Sequence, residues 1–196
     1  MNKTDNKNIM LVGVGGQGTL LASRILGNVL ISQGYDVKVS EVHGMSQRGG
    51  SVVTYVKFGK QVYSPTIELG EADFIISFEL LETARYLPYL KANGKIITNT
   101  QQIDPMPVVT GVAKYPEDIV NKIKSSGVNV LAIDALELAK QAGSQKAVNV
   151  VLMGVLSNLA GFPEQAWLDA VTKCVPPKAL ELNLKAFELG KNITIS

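Results

Sequence analysis

Ile9-Met10-Leu11-Val12-Gly13-Val14-Gly15-Gly16-Gln17-Gly18 is the stretch on which the reading of this chain turns. Four apolar residues lead into a glycine-rich turn, and an apolar helical run from Thr19 to Leu30 follows it without a break. The first amides of such a helix have no intrahelical partner, and its dipole favours negative charge, so the turn is a ready anion site. Gly13, Gly15 and Gly18 fall on the G-x-G-x-x-G spacing, which makes a phosphate-bearing ligand the first functional expectation. The bland alternative is that the glycines only permit a tight turn and close contact. Gly16 belongs to the same turn, and the Gln17 amide can bond a ligand or a neighbouring chain.

The helix carries Leu20, Leu21, Ile25, Leu26, Val29 and Leu30 on one inward face and stops at Gly34. Val37 to Val42 then alternates apolar and polar residues as a second strand. A dinucleotide-binding unit would cross over by a second helix here. Instead Glu41-Val42-His43-Gly44-Met45-Ser46-Gln47-Arg48-Gly49-Gly50 forms a glycine-rich loop, and the alternating strand Ser51 to Phe58 follows directly. The loop leaves the end of strand two beside the first turn, so both motifs face one crevice. It gathers His43, the only histidine, with Ser46, Gln47, Arg48 and Gly49. An arginine there suits bidentate contact with phosphate or carboxylate. Taken singly, His43 reads as a loop histidine bonded to backbone, and Arg48 as a surface or interface ion pair. The whole cluster is too rich in donors and glycines for a surface loop, and serves ligand binding or subunit contact. A nicotinamide or flavin dinucleotide domain is the competing reading. Glu41 lies near the position of a ribose-binding acid, but no second domain offers an acid or base for hydride transfer.

Gly59-Lys60 reads as a hairpin turn into an antiparallel strand Gln61 to Ser64. Asp73 to Phe78 is near-continuously apolar, as in a strand covered on both faces. A helix Leu80 to Lys91, strand Lys95 to Thr100, a helix from Pro116 to near Gly127 and strand Val128 to Ile133 follow, and from Asp134 only helices are legible. The fold class is α/β: a three-layer α/β/α Rossmann-like sandwich with a mainly parallel sheet, an antiparallel hairpin addition and a helical C-terminal third. Residues 1–196 read as one domain, with 1–8 as a flexible N-terminus and 134–196 as its helical C-terminal part. Leu152, Val155, Leu156 and Leu159 offer more apolar surface than one sheet face needs, which points to a protein partner or a homodimer; the alternative is that they cover the sheet.

Composition narrows the functional classes. Of 196 residues, 46% are hydrophobic and 18% charged, enough for a folded core. A net charge of +2 with scattered Lys and Arg gives no footprint for nucleic acid. No apolar run reaches the roughly 18 residues of a membrane span, and no signal-peptide stretch opens the chain; a cytoplasmic location is expected. Cys174 is the single cysteine, so no intrachain disulfide, multi-cysteine zinc site or four-cysteine iron–sulfur cluster can be built. No G-x-S-x-G elbow supports a hydrolase.

The glycine turn together with the loop Glu41 to Gly50 resembles the gamma-type domain of 2-oxoacid:ferredoxin oxidoreductases. Within that group the chain most resembles the small subunits of indolepyruvate ferredoxin oxidoreductases. Tyr63-Ser64-Pro65 and the segment Asn99 to Pro107 extend the likeness, which covers nearly the whole chain from Asn8. The resemblance implies oxidative decarboxylation of a 2-oxoacid, here an aryl pyruvate, with coenzyme A, giving acyl-CoA, carbon dioxide and reduced ferredoxin. It also implies that thiamine diphosphate and the iron–sulfur clusters belong to a large partner subunit, which is the one that meets ferredoxin. On that resemblance this chain is expected to hold no cofactor alone and to be inactive in isolation. Its expected share is coenzyme A binding and active-site closure through Gly13, Gly15, Gly16, Gln17, Gly18, His43, Ser46, Gln47, Arg48 and Gly49. A structural partner subunit without ligand contacts is the alternative.

Overall fold

A computed structural model describes residues 6–44 and 49–194. Six strands form one sheet: β1 (Lys7–Val14), β2 (Asp36–His43), β3 (Ser51–Gly59), β4 (Ala72–Ser77), β5 (Leu90–Asn99) and β6 (Asn129–Ile133), in the spatial order β2-β3-β1-β4-β5-β6. The strands β1, β4, β5 and β6 run parallel. The one reversed strand is β3, which pairs antiparallel with both β1 and β2. The antiparallel addition is thus the β2–β3 hairpin, whose tip is the second glycine loop. Gln61 to Ser64 is not a strand. That segment is a strap: the Val62 amide donates to Asp36 Oδ2 at 2.8 Å, the Lys57 ammonium donates to the Thr66 carbonyl at 3.1 Å, and Ile67 is buried beneath the sheet. It covers sheet surface that the missing crossover helix leaves bare.

Eight helices complete the layers among the described residues: α1 (Thr19–Ser32), α2 (Leu80–Tyr86), α3 (Met106–Val109), α4 (Ile119–Ser125), α5 (Ala135–Ala142), α6 (Val148–Ala160), α7 (Glu164–Cys174) and α8 (Leu180–Lys191). Alternation along β1 sends Ile9 and Leu11 to one face, with Ile25, Leu26, Val151, Leu152 and Trp167 from α1, α6 and α7. Met10 and Val12 go to the other, with Leu80, Ile119 and Ile123 from α2 and α4. Burial on both faces explains the continuous apolar runs of β1 and β4.

Several boundaries shift for local reasons. Lys7 and Asn8 are already strand, because Asp73 Oδ2 accepts from the Asn8 amide at 2.9 Å and Asp73 Oδ1 takes the Lys7 ammonium at 3.1 Å. The helix expected to run to Lys91 ends at Tyr86, Pro88 sits in a 3-10 turn, and β5 begins at Leu90. The fourth helix opens at Ile119 behind Asp118, not at Pro116. Nor is α6 a free apolar face: Leu152, Val155 and Leu156 are wholly buried, and α8 lies across them. Gly154 and Gly190 make that crossing close, since a Cβ on Gly190 would sit 2.0 Å from the Val151 carbonyl oxygen and one on Gly154 2.2 Å from that of Phe187. Leu159 is partly buried against the same core, so most of that apolar surface is covered within the chain.

Candidate functional site

Both glycine motifs sit at the C-terminal edge of the sheet, and the backbone ties them together. The Gly15 amide donates to the Gly50 carbonyl at 2.9 Å, and the Gly49 amide reaches the Gly15 carbonyl at 3.5 Å, extending the β1–β3 ladder into the turn. The juxtaposition expected from the sequence is therefore present. Met45, Ser46, Gln47 and Arg48 lie outside the described residues.

Gly13, Gly16 and Gly18 do different work in the turn. Gly13 lets the turn approach β4: a Cβ there would lie 2.9 Å from both Gln17 Oε1 and Phe78 Cβ. Gly18 caps α1 in the left-handed region at φ 83°, with no side chain capping the helix. Its carbonyl accepts from Asn149 Nδ2 at 3.1 Å, and a Cβ would stand 2.5 Å from that nitrogen. Gly16 has φ 103° and open space where a Cβ would point. Of these three, Gly16 alone offers backbone that nothing in the fold crowds.

Gln17 is engaged inside the fold. Its Oε1 accepts from the Val14 amide at 2.8 Å, while Nε2 donates to the Phe78 carbonyl at 3.0 Å and to Gln101 Oε1 at 3.4 Å. Buried Asn99 completes the knot: its Nδ2 donates to the same Phe78 carbonyl at 3.1 Å and to Gln101 Oε1 at 3.3 Å, and its Oδ1 accepts from the Ala135 amide at 3.0 Å. The sheet order reverses between β1 and β4, and that switch point is where a dinucleotide domain seats its pyrophosphate. Here amide side chains fill it.

Two clefts flank the turn. On the β2 side a groove of 360 Å³ is lined by Gly15, Gly16, Thr19, Leu20, Glu41 and His43. Glu41 accepts from Thr54 Oγ1 at 3.1 Å, and the exposed His43 ring donates from Nδ1 to the Gly44 carbonyl at 3.1 Å, the backbone-bonded histidine weighed above. On the other side a cleft of 530 Å³ is bounded by Gly16, Gln17, Gln101, Leu136, Lys146 and Asn149. Gln101, Lys146 and Asn149 carry no sequence signal for this role, since Asn149 reaches Gly18 across 131 positions.

A buried carboxylate stands behind the site. Glu79 caps α2, with Oε2 accepting from the Glu82 amide at 2.9 Å. Its Oε1 accepts from the Ile103 amide at 3.1 Å and from the Tyr115 hydroxyl, which itself accepts from the Leu81 amide at 2.9 Å. Burial and the bond to Glu79 hold the Tyr115 phenol well above the ordinary tyrosine range. Glutamate is not among the preferred N-cap residues, so no capping rule marked Glu79 in the sequence.

The model of the pyruvate ferredoxin/flavodoxin oxidoreductase family matches residues 8–193. The chain belongs to that family. It is 47% identical over 188 residues to the indolepyruvate oxidoreductase subunit IorB of Thermococcus kodakarensis, covering 93% of each chain. The keto/oxoacid ferredoxin oxidoreductase gamma subunit of Geobacter sulfurreducens superposes with a TM-score of 0.70 at 24% identity, over 94% of this chain and 95% of that one. A 2-oxoglutarate:ferredoxin oxidoreductase chain from Magnetococcus marinus gives a TM-score of 0.70 at 19% identity, over 96% of this chain but only 31% of its own length. The chain is thus an oxidoreductase component with the α/β fold of the gamma subunits. No helix among the described residues is long and apolar enough to cross a membrane, and no group of three His, Cys, Asp or Glu among them could hold a metal ion.

Proposed function

We propose that this chain is the small subunit of an indolepyruvate-type (aryl pyruvate) 2-oxoacid:ferredoxin oxidoreductase, contributing to coenzyme A binding and closure of the active site. Thiamine diphosphate and the iron–sulfur clusters belong to the large partner subunit, through which ferredoxin is reduced. The observation that carries this reading is the near-full-length similarity to an indolepyruvate oxidoreductase subunit. One cysteine cannot ligate a four-thiolate cluster, so cluster chemistry needs another chain. Gly16 and the groove towards His43 give a pyrophosphate an approach to free backbone at the start of α1, and Arg48 supplies the fixed positive charge. Gln17 positions the turn from within, and Gly13 and Gly18 permit its contacts.

The test is the coenzyme A requirement of the complex made by coexpression. Losing a charge-assisted contact costs about 1.5–3 kcal/mol, so Arg48→Ala raises the coenzyme A concentration needed by roughly tenfold to 150-fold. Decarboxylation by the thiamine subunit stays largely intact. A second reading, a structural subunit without ligand contacts, is favoured by the internal engagement of Gln17 and Gly18. If Arg48→Ala separates the subunits and leaves coenzyme A dependence unchanged, that reading replaces the first.

A further inference from the structure

Glu82 is a buried carboxylate to which the proposed function gives no task. It lies in the first turn of α2 with only 5% of its side chain exposed. A carboxylate taken out of water is costly unless it is well bonded, and two side chains bond this one. Arg85, one turn on and half exposed, donates from Nε to Oε1 at 3.0 Å. The Ser51 hydroxyl donates to Oε2. A hydroxyl has one hydrogen to give, so Ser51 Oγ accepts from the Tyr86 hydroxyl 3.3 Å away. Arg85 and Tyr86 belong to α2 itself, whereas Ser51 comes from 31 residues earlier in the chain.

Ser51 is the foot of the second glycine motif. It opens β3 directly after Gly49 and Gly50, and stands opposite Val14 in the β1–β3 ladder. The Gly50 carbonyl accepts from the Gly15 amide at 2.9 Å. The next residue, Val52, lines the groove with Gly15, Gly16 and His43. Successive side chains of a strand point to opposite faces, so Val52 faces the groove and Ser51 turns away from it towards Glu82. Glu82 thus stands behind the sheet and does not line the groove. The start of α2 holds the other side of the turn as well. The Leu80 amide donates to the Gln101 carbonyl at 3.1 Å, and the Phe78 carbonyl, just before the helix, accepts from Gln17 at 3.0 Å.

We propose that Glu82 is a positioning residue: through the Ser51 hydroxyl it holds Gly49 and Gly50 against the glycine turn and so sets the groove beside Gly16. Its consequence for a ligand rests on the function proposed above, since that groove is the one proposed for the coenzyme A pyrophosphate. The rival account is that the bond merely docks α2 on the sheet, which lowers stability and leaves the ligand requirement unchanged.

The test uses the coexpressed two-subunit complex carrying Ser51→Ala, Glu82→Ala or Glu82→Gln. Ser51→Ala should raise the coenzyme A concentration at half-maximal rate about threefold to tenfold, with the maximal rate unchanged. That is below the full scale of a hydrogen bond to a charged group, because the effect on the ligand is indirect. Glu82→Ala should match it, and the double variant should be no worse than either, since both break the same bond. Glu82→Gln should restore the wild-type requirement: a glutamine keeps a bond to Ser51 in either orientation, because a hydroxyl accepts as well as donates. In the same complex, hydrogen exchange of peptides covering 13–18 and 49–52 should quicken in Ser51→Ala, while those of α6 keep the wild-type rate. Unchanged exchange overturns the inference. So does an unchanged coenzyme A requirement in Ser51→Ala when Arg48→Ala raises it, since the bond then only docks α2. Faster exchange with no effect of either variant on coenzyme A strikes the coenzyme A reading alone and leaves Glu82 as the residue that holds the motif.

Discussion

Replacing Gln17 with alanine separates the two roles open to the glycine turn. The side chain makes two strong hydrogen bonds, at 2.8 Å from the Val14 amide and 3.0 Å to the Phe78 carbonyl, and a longer one to Gln101. In the alanine variant the Phe78 carbonyl keeps Asn99 as a donor at 3.1 Å, but the buried Val14 amide loses its acceptor. Leaving such a donor unpaired costs about 1–3 kcal/mol. For a chain of this size each kcal/mol moves Tm by roughly 2–4 °C, so thermal unfolding followed by circular dichroism should shift down by several degrees. Gln17→Glu sharpens the test. A carboxylate still accepts from Val14 but faces two acceptors, the Phe78 carbonyl and Gln101 Oε1, with nothing to donate. Its protonated form regains a donor. Gln17→Glu should therefore be less stable than Gln17→Ala at neutral pH and recover relative to it as the pH falls through the carboxylate range. If Gln17→Ala melts with the wild type and only the coenzyme A requirement changes, the side chain serves a ligand and the clamp reasoning fails.

Two further outcomes follow from the same geometry. Gly190→Ala should destabilise the chain by about 1–3 kcal/mol or more, the scale of overpacking, because its Cβ meets the Val151 carbonyl on α6; an unchanged denaturation midpoint would show that α6 and α8 are not in contact as described. Because burial and Glu79 raise the folded-state value of Tyr115 above the ordinary 10.0, its contribution is complete below that pH and is lost as pH rises towards the folded value. Tyr115→Phe should flatten the alkaline loss of stability above about pH 10, and identical alkaline unfolding curves would refute the assignment.

The strand–turn–helix at the start was legible because two periods meet at Gly13 to Gly18: an apolar run of strand length, then a helical face. The helical C-terminal third was legible through its punctuation at Gly143, Gly161 and Pro176. What escaped was decided by partners distant in sequence. Ser51 to Phe58 alternates as a strand must, but alternation does not say that it lies between β1 and β2. Gln17 looked like a free amide because its acceptors, Phe78 and Gln101, lie 61 and 84 residues away. The reading of α6 as surplus surface missed a local signal: apart from Asn149, Val148 to Leu156 is apolar on every side, which marks a buried helix rather than an exposed face. Tyr63 to Pro65 lies in the strap that replaces a strand, held by an Asp36 carboxylate that no spacing rule identifies.

A glycine fingerprint does not by itself say where a ligand goes, and the side chain between its glycines decides here. With Gln17 and Asn99 filling the switch point between β1 and β4, a ligand approaching the start of α1 is confined to the sides of the turn. Of the two flanking clefts, only the groove towards Glu41 and His43 opens on the second motif, and Gly15 with Gly49 and Gly50 holds that motif in register. Gly16 is the one glycine of the turn with an open approach and a backbone angle that disfavours a side chain. On the function proposed above, stability and recognition would be divided among neighbouring residues. Gln17 and Gly18 make the contacts that hold the turn, whereas the open space at Gly16 is where the proposed ligand would approach. A β-branched residue at Gly16 should block that approach without disturbing Val14, Phe78 or Asn149, and coenzyme A or subunit affinity should fall further than local strain accounts for.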